Sequence, residues 1–214
     1  MPSEIVAIPK LPFLPWKMEF APSVYVSQTE ARVTERAQIG DGFWELEAST
    51  ARLLPAQWLQ AEAWADQVIS GSVFEAYHWY NRRPLSYGAT PISGIKAGGG
   101  AFDGTANLRV ITSALQIDVD GLPSGFSVQA GNLLEVRKSP MVRSLHRIKA
   151  DAMATAGGIL TVDLINPLAT IFSANDDVVF EKPSCLMAID SRTVNRDWRQ
   201  RTLSFSAKEV LFSS

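Results

Sequence analysis

The clearest helical pattern in the chain lies at residues 54–69. Apolar side chains recur there at intervals of four and three, which is the spacing of one face of an α-helix. These positions are Leu54, Trp58, Ala61, Ala65 and Val68. Pro55 suits the first helical position, where its missing N–H has no intrahelical partner, and Gly71 follows as a stop signal. The pattern predicts one substantial helix over residues 55–69.

Most of the remaining chain alternates between apolar and polar residues, which predicts β-strands with one buried face. In residues 43–48 the two glutamates alternate with apolar side chains. The same alternation recurs further along the chain, at residues 115–119, 160–164 and 203–207. Residues 31–36 and 43–48 flank a Gly40-Asp41-Gly42 turn, so we expect these two segments to form a hairpin. The predicted class is mainly β with one substantial α-helix, an α+β fold.

Proline spacing and strand density divide the chain into an arm and two domains. Residues 1–22 carry five prolines and several apolar side chains, which favours an extended N-terminal arm that covers either its own domain or a partner. Residues 81–107 lose their periodicity and are the expected domain boundary. Several short strands then follow in residues 108–188, which predicts a small barrel or sandwich. This second domain is inserted between 23–107 and 189–214, because the last strand is expected to return to the first domain.

The composition is that of a globular chain, and it argues against several classes of function. The 214 residues are 46% hydrophobic, which is enough for one large or two small domains. The formal net charge of −2 argues against a groove for nucleic acid, which needs clustered Lys and Arg. A single cysteine, Cys185, forms neither an internal disulfide nor a Cys-based zinc cage, so we expect a core residue. No segment approaches a membrane helix or a secretory leader, so we expect assembly in a cytoplasm without a membrane partner.

Residues that could carry catalysis are few and scattered. His78 and His146 each lie in a predicted strand, with no second ligand at metal-binding spacing. Four carboxylates fall on β segments, namely Asp118, Asp120, Glu135 and Asp163. Alternation places the first two of them on a solvated face. The glycine-rich stretch at residues 94–100 lacks the Gly-Lys-Ser/Thr ending of a phosphate-binding loop. We therefore expect no enzyme, no catalytic residue, no metal site and no cofactor.

The order of these segments resembles the order found in one family of viral proteins. In the first half the matching pieces are residues 43–48, then Leu54-Pro55-Ala56-Gln57-Trp58 opening a helix, then an aromatic strand at 74–80. In the second half they are residues 122–125, 128–134, 146–150, 157–162, 166–168, 178–180 and 186–189. Together these segments span about residues 25–190. The chain resembles the distal tail proteins and minor tail proteins of long-tailed, siphovirus-type phages and of gene-transfer particles.

This resemblance implies a structural virion protein at the phage tail tip. Such proteins form a hexameric ring that connects the tail tube to the hub or baseplate. On this basis residues 23–107 and 189–214 are the ring-forming β domain, and residues 108–188 are an OB-like small barrel. The implied partners are further copies of the chain, the tail tube protein, the hub protein and the tape measure protein. Tryptophans are favoured interface anchors, so the predicted subunit contacts are Trp16, Trp64 and Trp79.

Three other functions remain compatible with the sequence. Another tail component, such as a hub or a terminator, has the same virion location. A carbohydrate-binding β-sandwich module is the second alternative. The observations that would favour it are exposed aromatic side chains and saturable glycan binding by the monomer. An enzyme is the least favoured, and hydrolysis of peptidoglycan by the purified chain is the observation that supports it.

Overall fold

The computed structural model describes residues 4–28, 34–38, 40–88, 90–195 and 201–213. This part of the chain is mostly β-structure with one α-helix. The mainly β, α+β class predicted from the alternation is therefore confirmed. In the described residues no helix is both long and apolar enough to cross a membrane.

The elements of the described residues are β-strands, one 3-10 turn and one longer helix. The first are β1 Phe13–Ala21, β2 Val24–Gln28, β3 Thr34–Gln38, β4 Phe43–Thr50, α1 Pro55–Ile69 and β5 Phe74–Tyr77. A 3-10 turn at Leu85–Tyr87 precedes β6 Gly94–Ile95, β7 Ala101–Phe102, β8 Thr105–Ser113, β9 Gln116–Asp120 and β10 Ser127–Val128. The last are β11 Leu133–Arg137, β12 Arg143–Arg147, β13 Ala152–Met153, β14 Leu160–Asp163, β15 Asp177–Val179, β16 Ser184–Asn195 and β17 Thr202–Glu209.

The chain forms two compact units, each built from segments that are distant in sequence. The sheet unit consists of Ile8–Gly71 and Ala188–Glu209. The barrel unit consists of Met1–Ala7, Ser72–Met187 and Val210–Ser214. Strand β16 begins in the barrel unit and continues into the sheet unit, so the backbone crosses between the units inside a single strand.

The sheet unit is built on four strands in the order β1-β4-β17-β16. Strand β4 pairs antiparallel with β1 on one side and with β17 on the other. Alternate residues of these strands are buried, namely Trp44, Leu46 and Ala48 of β4 and Leu203, Phe205 and Ala207 of β17. Because β-strand side chains alternate between faces, one face of the sheet is apolar and the other is polar. The predicted alternation at residues 43–48 and 203–207 is confirmed.

Helix α1 packs on the apolar face of this sheet. The indole of Trp64 meets the ring of Phe205 edge-on, with 5.3 Å between ring centroids. The buried helix residues are Ala61, Trp64, Ala65 and Val68. At the start of the helix the Leu54 N–H donates to the Gln57 side-chain oxygen over 3.0 Å. The predicted bounds are confirmed, but Leu54 is 67% exposed, because it precedes the first turn and therefore lies off the apolar stripe.

The barrel unit is built on a curled, half-barrel sheet of six strands in the order β12-β11-β15-β8-β9-β14. Three phenylalanines fill its centre. Phe126 lies 5.0 Å from Phe180 and 5.4 Å from Phe102 between ring centroids. The predicted alternation of residues 160–164 is confirmed, with Leu160, Val162 and Leu164 all buried. A short ladder between β5 and the first four residues of β16 completes this unit.

The structure divides the chain at Gly71/Ser72 and not at the expected boundary of 107/108. The lack of periodicity in residues 81–107 predicts a loop at the domain boundary. These residues instead carry Ile92 and Phe102, both of which are buried in the core of the barrel unit. Irregular backbone that contributes core side chains belongs to the unit it fills, whatever its periodicity.

The N-terminal segment expected to be an arm at residues 1–22 is, where described, part of the two units. Its residues 13–21 form β1 in the sheet unit. In the barrel unit Ile5 forms a parallel bridge with Val73, and the Val6 N–H donates to the Val73 carbonyl over 2.8 Å. Of the two alternatives for this apolar segment, the structure supports packing along its own chain.

The predicted hairpin between residues 31–36 and 43–48 is wrong. Strand β3 pairs with β2, from Val24 opposite Gln38 to Gln28 opposite Thr34. Both edges of β4 are occupied by β1 and β17, so no edge is left for β3. Residues 31–33 of the predicted strand lie outside the described residues. A glycine turn marks where a strand ends, but it does not determine which strand it pairs with.

Candidate assembly interface

Two of the three tryptophans predicted as subunit contacts lie in the core of the sheet unit. Trp16 is 7% exposed and Trp64 is 4% exposed. Trp16 meets Phe13 edge-on at 5.4 Å, and Phe13 in turn meets Phe205 at 6.0 Å. A buried indole offers almost no area to a second chain, so the interpretation of Trp16 and Trp64 as interface anchors has to be revised. Trp79 is half-buried in the barrel unit, and part of its indole is accessible.

Strand β1 is one open edge of the sheet. It lies at the end of the strand order and pairs only with β4 among the described residues. The pairing shifts register between Phe13 and Trp16, around Pro15. A proline and a bulge are typical of an edge, because proline has no N–H to donate to a second neighbour. From Trp16 to Ala21 the ladder is regular, so its outward backbone groups are open to another strand.

The second open edge is the part of β16 that belongs to the sheet unit. Strand β5 pairs with Ser184–Met187 only, so it does not reach residues 188–195. Those residues follow β17 in the strand order, and no described strand pairs with their other side. The sheet unit therefore ends in two unlike edges, one from near the start of the chain and one from near its end.

The sheet face opposite the helix is polar and carries small hydroxyl side chains. The Ser49 and Ser204 hydroxyl oxygens are 2.8 Å apart, and those of Ser191 and Ser206 are also 2.8 Å apart. A shallow groove of about 320 Å³ runs over this face. Ion pairs at Lys17–Glu19 (3.1 Å) and Lys208–Asp190 (3.0 Å) lie in solvent, and each carboxylate raises the pKa of its lysine by hydrogen bond and charge. This face suits contact with water and not a dry interface.

The hairpin of β2 and β3 is a third feature of the sheet unit. These strands pair only with each other among the described residues. An isolated two-stranded ribbon is marginally stable in water, because it buries little surface on either face. Such a ribbon gains stability when a further strand or surface covers it.

The histidines considered for catalysis lie in the barrel unit in different environments. His146 is fully buried, and its Nδ1 lies 3.2 Å from the Asn166 carbonyl oxygen. Burial lowers the pKa of His146 to about 4, which the hydrogen bond to Asn166 offsets only in part. His78 is half-buried. Its pKa is lowered mainly by this burial and, to a smaller extent, by the positive charge of Arg147. Neither is brought into a cluster of metal-binding side chains within the described residues.

Three of the four carboxylates considered for catalysis bond to polar neighbours on the barrel surface. Asp118 accepts from the Thr161 hydroxyl at 2.6 Å. Asp163 accepts from Gln116 at 2.8 Å, and Asp120 accepts from the Asn107 amide at 3.2 Å. All three are partly exposed. Their hydrogen bonds to polar neighbours explain them as part of the polar face of β9 and β14.

The fourth carboxylate, Glu135, forms a buried charged cluster that the sequence analysis missed. Its Oε1 accepts from Arg137 Nε at 2.6 Å, and its Oε2 accepts from the Ser184 N–H and hydroxyl at 3.0 Å each. Arg143, only 5% exposed, lies 3.6 Å from Glu135 and 3.1 Å from Glu75. A signal was present in the sequence, because Glu135 interrupts an apolar run between Leu134 and Val136.

A cleft of about 330 Å³ opens beside the loop after β5 in the barrel unit. Its lining residues are Trp79, Tyr80, Arg82, Arg83, Leu85 and Gly88. Tyr80 is 83% exposed and Leu85 is 69% exposed. Only Trp79 of these residues is a contact predicted from the sequence, because the others show no periodic pattern.

The sequence of the chain matches no protein-family model, and no curated protein matches it. The fold and the sites thus define a class only: a mainly β protein of two units, with an open-edged sheet, an aromatic cleft and a buried charged cluster.

Proposed function

We propose that the chain is a structural subunit of a phage tail tip, a distal tail protein that closes into a ring between the tail tube and the hub. The single observation that supports this function best is the sheet with two unlike open edges, β1 and residues 188–195 of β16. The order of elements in the sequence supports the choice of a tail protein over other ring-forming proteins.

Two unlike edges on one sheet favour head-to-tail assembly. When β1 of one copy meets β16 of the next, every copy uses both edges and the sheet continues from subunit to subunit. Such a heterologous contact closes into a ring when the rotations between a whole number of copies add up to a full turn. Backbone hydrogen bonds supply much of the affinity in this arrangement. It therefore requires no tryptophan anchor, consistent with the burial of Trp16 and Trp64.

The two faces of the sheet suit the inside and the outside of such a ring. The apolar face is already covered by α1, so this face and its helix are placed on the outside of the ring. The hydroxyl-rich face carries Ser49, Ser191, Ser204 and Ser206 and lines the channel. Lys17 and Lys208 on this face are each paired with a carboxylate, so such a wall would hold a passing nucleic acid only weakly. The tail tube, hub and tape measure proteins are the partners proposed above, below and within the ring.

Substitution of Val194 by lysine tests the proposed edge contact. Val194 lies in the open part of β16, and a lysine at an edge opposes pairing with another strand. We expect light scattering to give the mass of a ring for the wild-type chain and a shift towards monomer for Val194→Lys. Negative-stain images should show a central hole for the wild type only.

The matched control is Val110→Lys. Val110 is 45% exposed on β8 of the barrel unit, where it pairs with Asp118 of β9, and it lies outside both open edges of the sheet unit. This variant should keep the wild-type mass. A wild-type chain that stays monomeric at every concentration, or a Val194→Lys variant that still forms rings, argues against the assembly.

A further inference from the structure

The loop after β5 is held rigidly within the barrel unit. The Asn81 side-chain amide donates to the Gly131 carbonyl at 2.7 Å, and the Lys182 N–H donates to the Arg82 carbonyl at 2.6 Å. Arg83 is 8% exposed and forms a two-point ion pair with Glu181, in which Arg83 Nε donates to Oε2 at 2.9 Å. A loop fixed in this way presents its outward side chains in one arrangement, which lowers the entropic cost of binding.

Glu181 remains charged in this arrangement. Burial alone would raise its pKa, but the hydrogen bonds from Arg83 and from the Ile92 N–H together lower the pKa below its ordinary value. The charge of Arg83 is therefore neutralised within the chain, and the ion pair acts as a support for the loop.

The side chains that the loop exposes are aromatic and apolar. Tyr80 is 83% exposed and Leu85 is 69% exposed, and both line the cleft together with Trp79. The rings of His78 and Tyr80 lie in an edge-to-face arrangement with 6.3 Å between centroids, and Tyr80 remains largely exposed to water. A planar ring in solvent on a rigid loop stacks well against the apolar face of a sugar.

Arg82 adds an available positive charge beside these rings. Its Nε donates to the Trp79 carbonyl at 2.8 Å, and its guanidinium carbon lies 6.0 Å from the centre of the Tyr77 ring. These contacts hold the side chain in place, while no described residue forms an ion pair with it. A fixed guanidinium binds a carboxylate or a phosphate through paired hydrogen bonds.

We propose that this cleft binds an anionic sugar unit of a polysaccharide, with Tyr80 stacking on the sugar ring and Arg82 binding its carboxylate or phosphate. The volume of about 330 Å³ fits one or two sugar units and lies at the small end of ligand sites. None of the lining residues is a carboxylate, so the cleft lacks the carboxylate pair of a typical glycoside hydrolase. This binding is independent of ring formation, because every contributing residue lies in the barrel unit.

Ligand-observed NMR titrations of the full chain test the proposal with four probes. Hyaluronan tetrasaccharide carries carboxylates, mannose 6-phosphate carries a phosphate, chitotetraose is neutral, and thymidine monophosphate is a nucleotide. We expect at least one of the two anionic sugars to bind with a Kd of roughly 1 mM or tighter, and we expect chitotetraose to bind about tenfold more weakly. Which anionic sugar binds identifies the carboxylate or the phosphate as the recognised group.

Two variants separate the stacking contact from the ionic contact. Tyr80→Ala should weaken the binding of the anionic sugar about tenfold or more, because it removes the stacked ring. Arg82→Gln should weaken it by a similar factor of about ten, and should leave the weak binding of chitotetraose unchanged. The control Arg109→Gln removes the same charge from an exposed position on β8 and should bind like the wild type.

Several outcomes overturn the proposal. One is the failure of both anionic sugars to bind, and another is equal binding of the neutral sugar. Binding that survives both Tyr80→Ala and Arg82→Gln places the ligand elsewhere. Preferential binding of thymidine monophosphate assigns the cleft to nucleotides. Because Tyr80 and Arg82 are exposed, circular dichroism should show wild-type folding for both variants.

Discussion

At the scale of single residues, the buried histidine is the clearest source of pH dependence. His146 is enclosed in the barrel core, and its Nε2 has no hydrogen-bond partner among the described residues. The folded chain holds the imidazole neutral down to a pKa of about 4, whereas an unfolded chain binds the proton near pH 6.5. Between these values the unfolded state takes up protons that the folded state does not. Stability is therefore full above pH 6.5 and falls as the pH drops towards 4.

The variant His146→Leu tests this pH dependence. We expect the wild type to lose about 2–3 kcal/mol more unfolding free energy than the variant between pH 7.5 and 4.5. The measurement is urea unfolding at both pH values. His78→Gln serves as the control, since His78 is only half-buried and should change the slope less. Equal losses in the wild type and in His146→Leu contradict the prediction.

Single residues also show the limit of prediction from sequence. Cys185 was predicted to be a core residue and is fully buried. Trp16 and Trp64 were predicted to be interface anchors and are core residues. Tryptophan is favoured in both places, so its identity alone does not separate them. Trp16 and Trp64 are core residues because their indoles contact Phe13 and Phe205, respectively. These two phenylalanines come from opposite ends of the chain.

At the scale of elements, the charged cluster connects two ladders of the barrel unit. Glu75 and Ser184 come from the pair β5 and β16, whereas Glu135 and Arg143 come from β11 and β12 of the six-stranded sheet. Ser184 Oγ lies 2.9 Å from Glu75 and 3.0 Å from Glu135, so one hydroxyl spans both carboxylates. Directional polar contacts of this kind fix one relative placement of the two ladders more strictly than apolar packing does.

Removal of either glutamate tests the importance of burial in this cluster. Glu135→Gln leaves the buried Arg143 with Glu75 as its remaining carboxylate partner in the cluster. This variant should cost about 3 kcal/mol of unfolding free energy. Glu75→Gln acts on a side chain that is 45% exposed, and should cost less than about 1 kcal/mol. Thermal or urea unfolding measures both. Similar losses for the two variants show that the cluster is not a buried ionic contact.

Helix α1 and the alternating strands could be predicted because their signals are local. The spacing of Trp58, Ala61, Ala65 and Val68 reports the helix without knowledge of the rest of the chain. Strand pairing is not local. Nothing within residues 31–48 shows that β1 and β17 occupy both edges of β4, so the predicted hairpin partner was wrong. The cluster and the aromatic cleft were missed for the same reason, since their residues meet only after folding.

At the scale of the whole molecule, the chain combines an open-edged sheet unit with a barrel unit built on a curled, half-barrel sheet. The barrel unit buries its phenylalanines inside a curled sheet and provides the aromatic cleft. The sheet unit ends in two unlike edges, which is costly for a monomer because unpaired edges promote uncontrolled association. A ring satisfies both edges in one closed assembly, and this is the central claim of the proposed function.

Cross-linking of the two edges tests that claim most directly. Glu19→Cys on β1 and Thr193→Cys on β16 place one thiol on the polar face at each open edge, and the natural Cys185 is buried and unreactive. A short bismaleimide should join the double variant into a ladder of bands that ends at one largest species, the closed ring, while each single variant stays uncoupled. Efficient dimers from a single variant, or no ladder from the double variant, contradict head-to-tail pairing of the sheet edges.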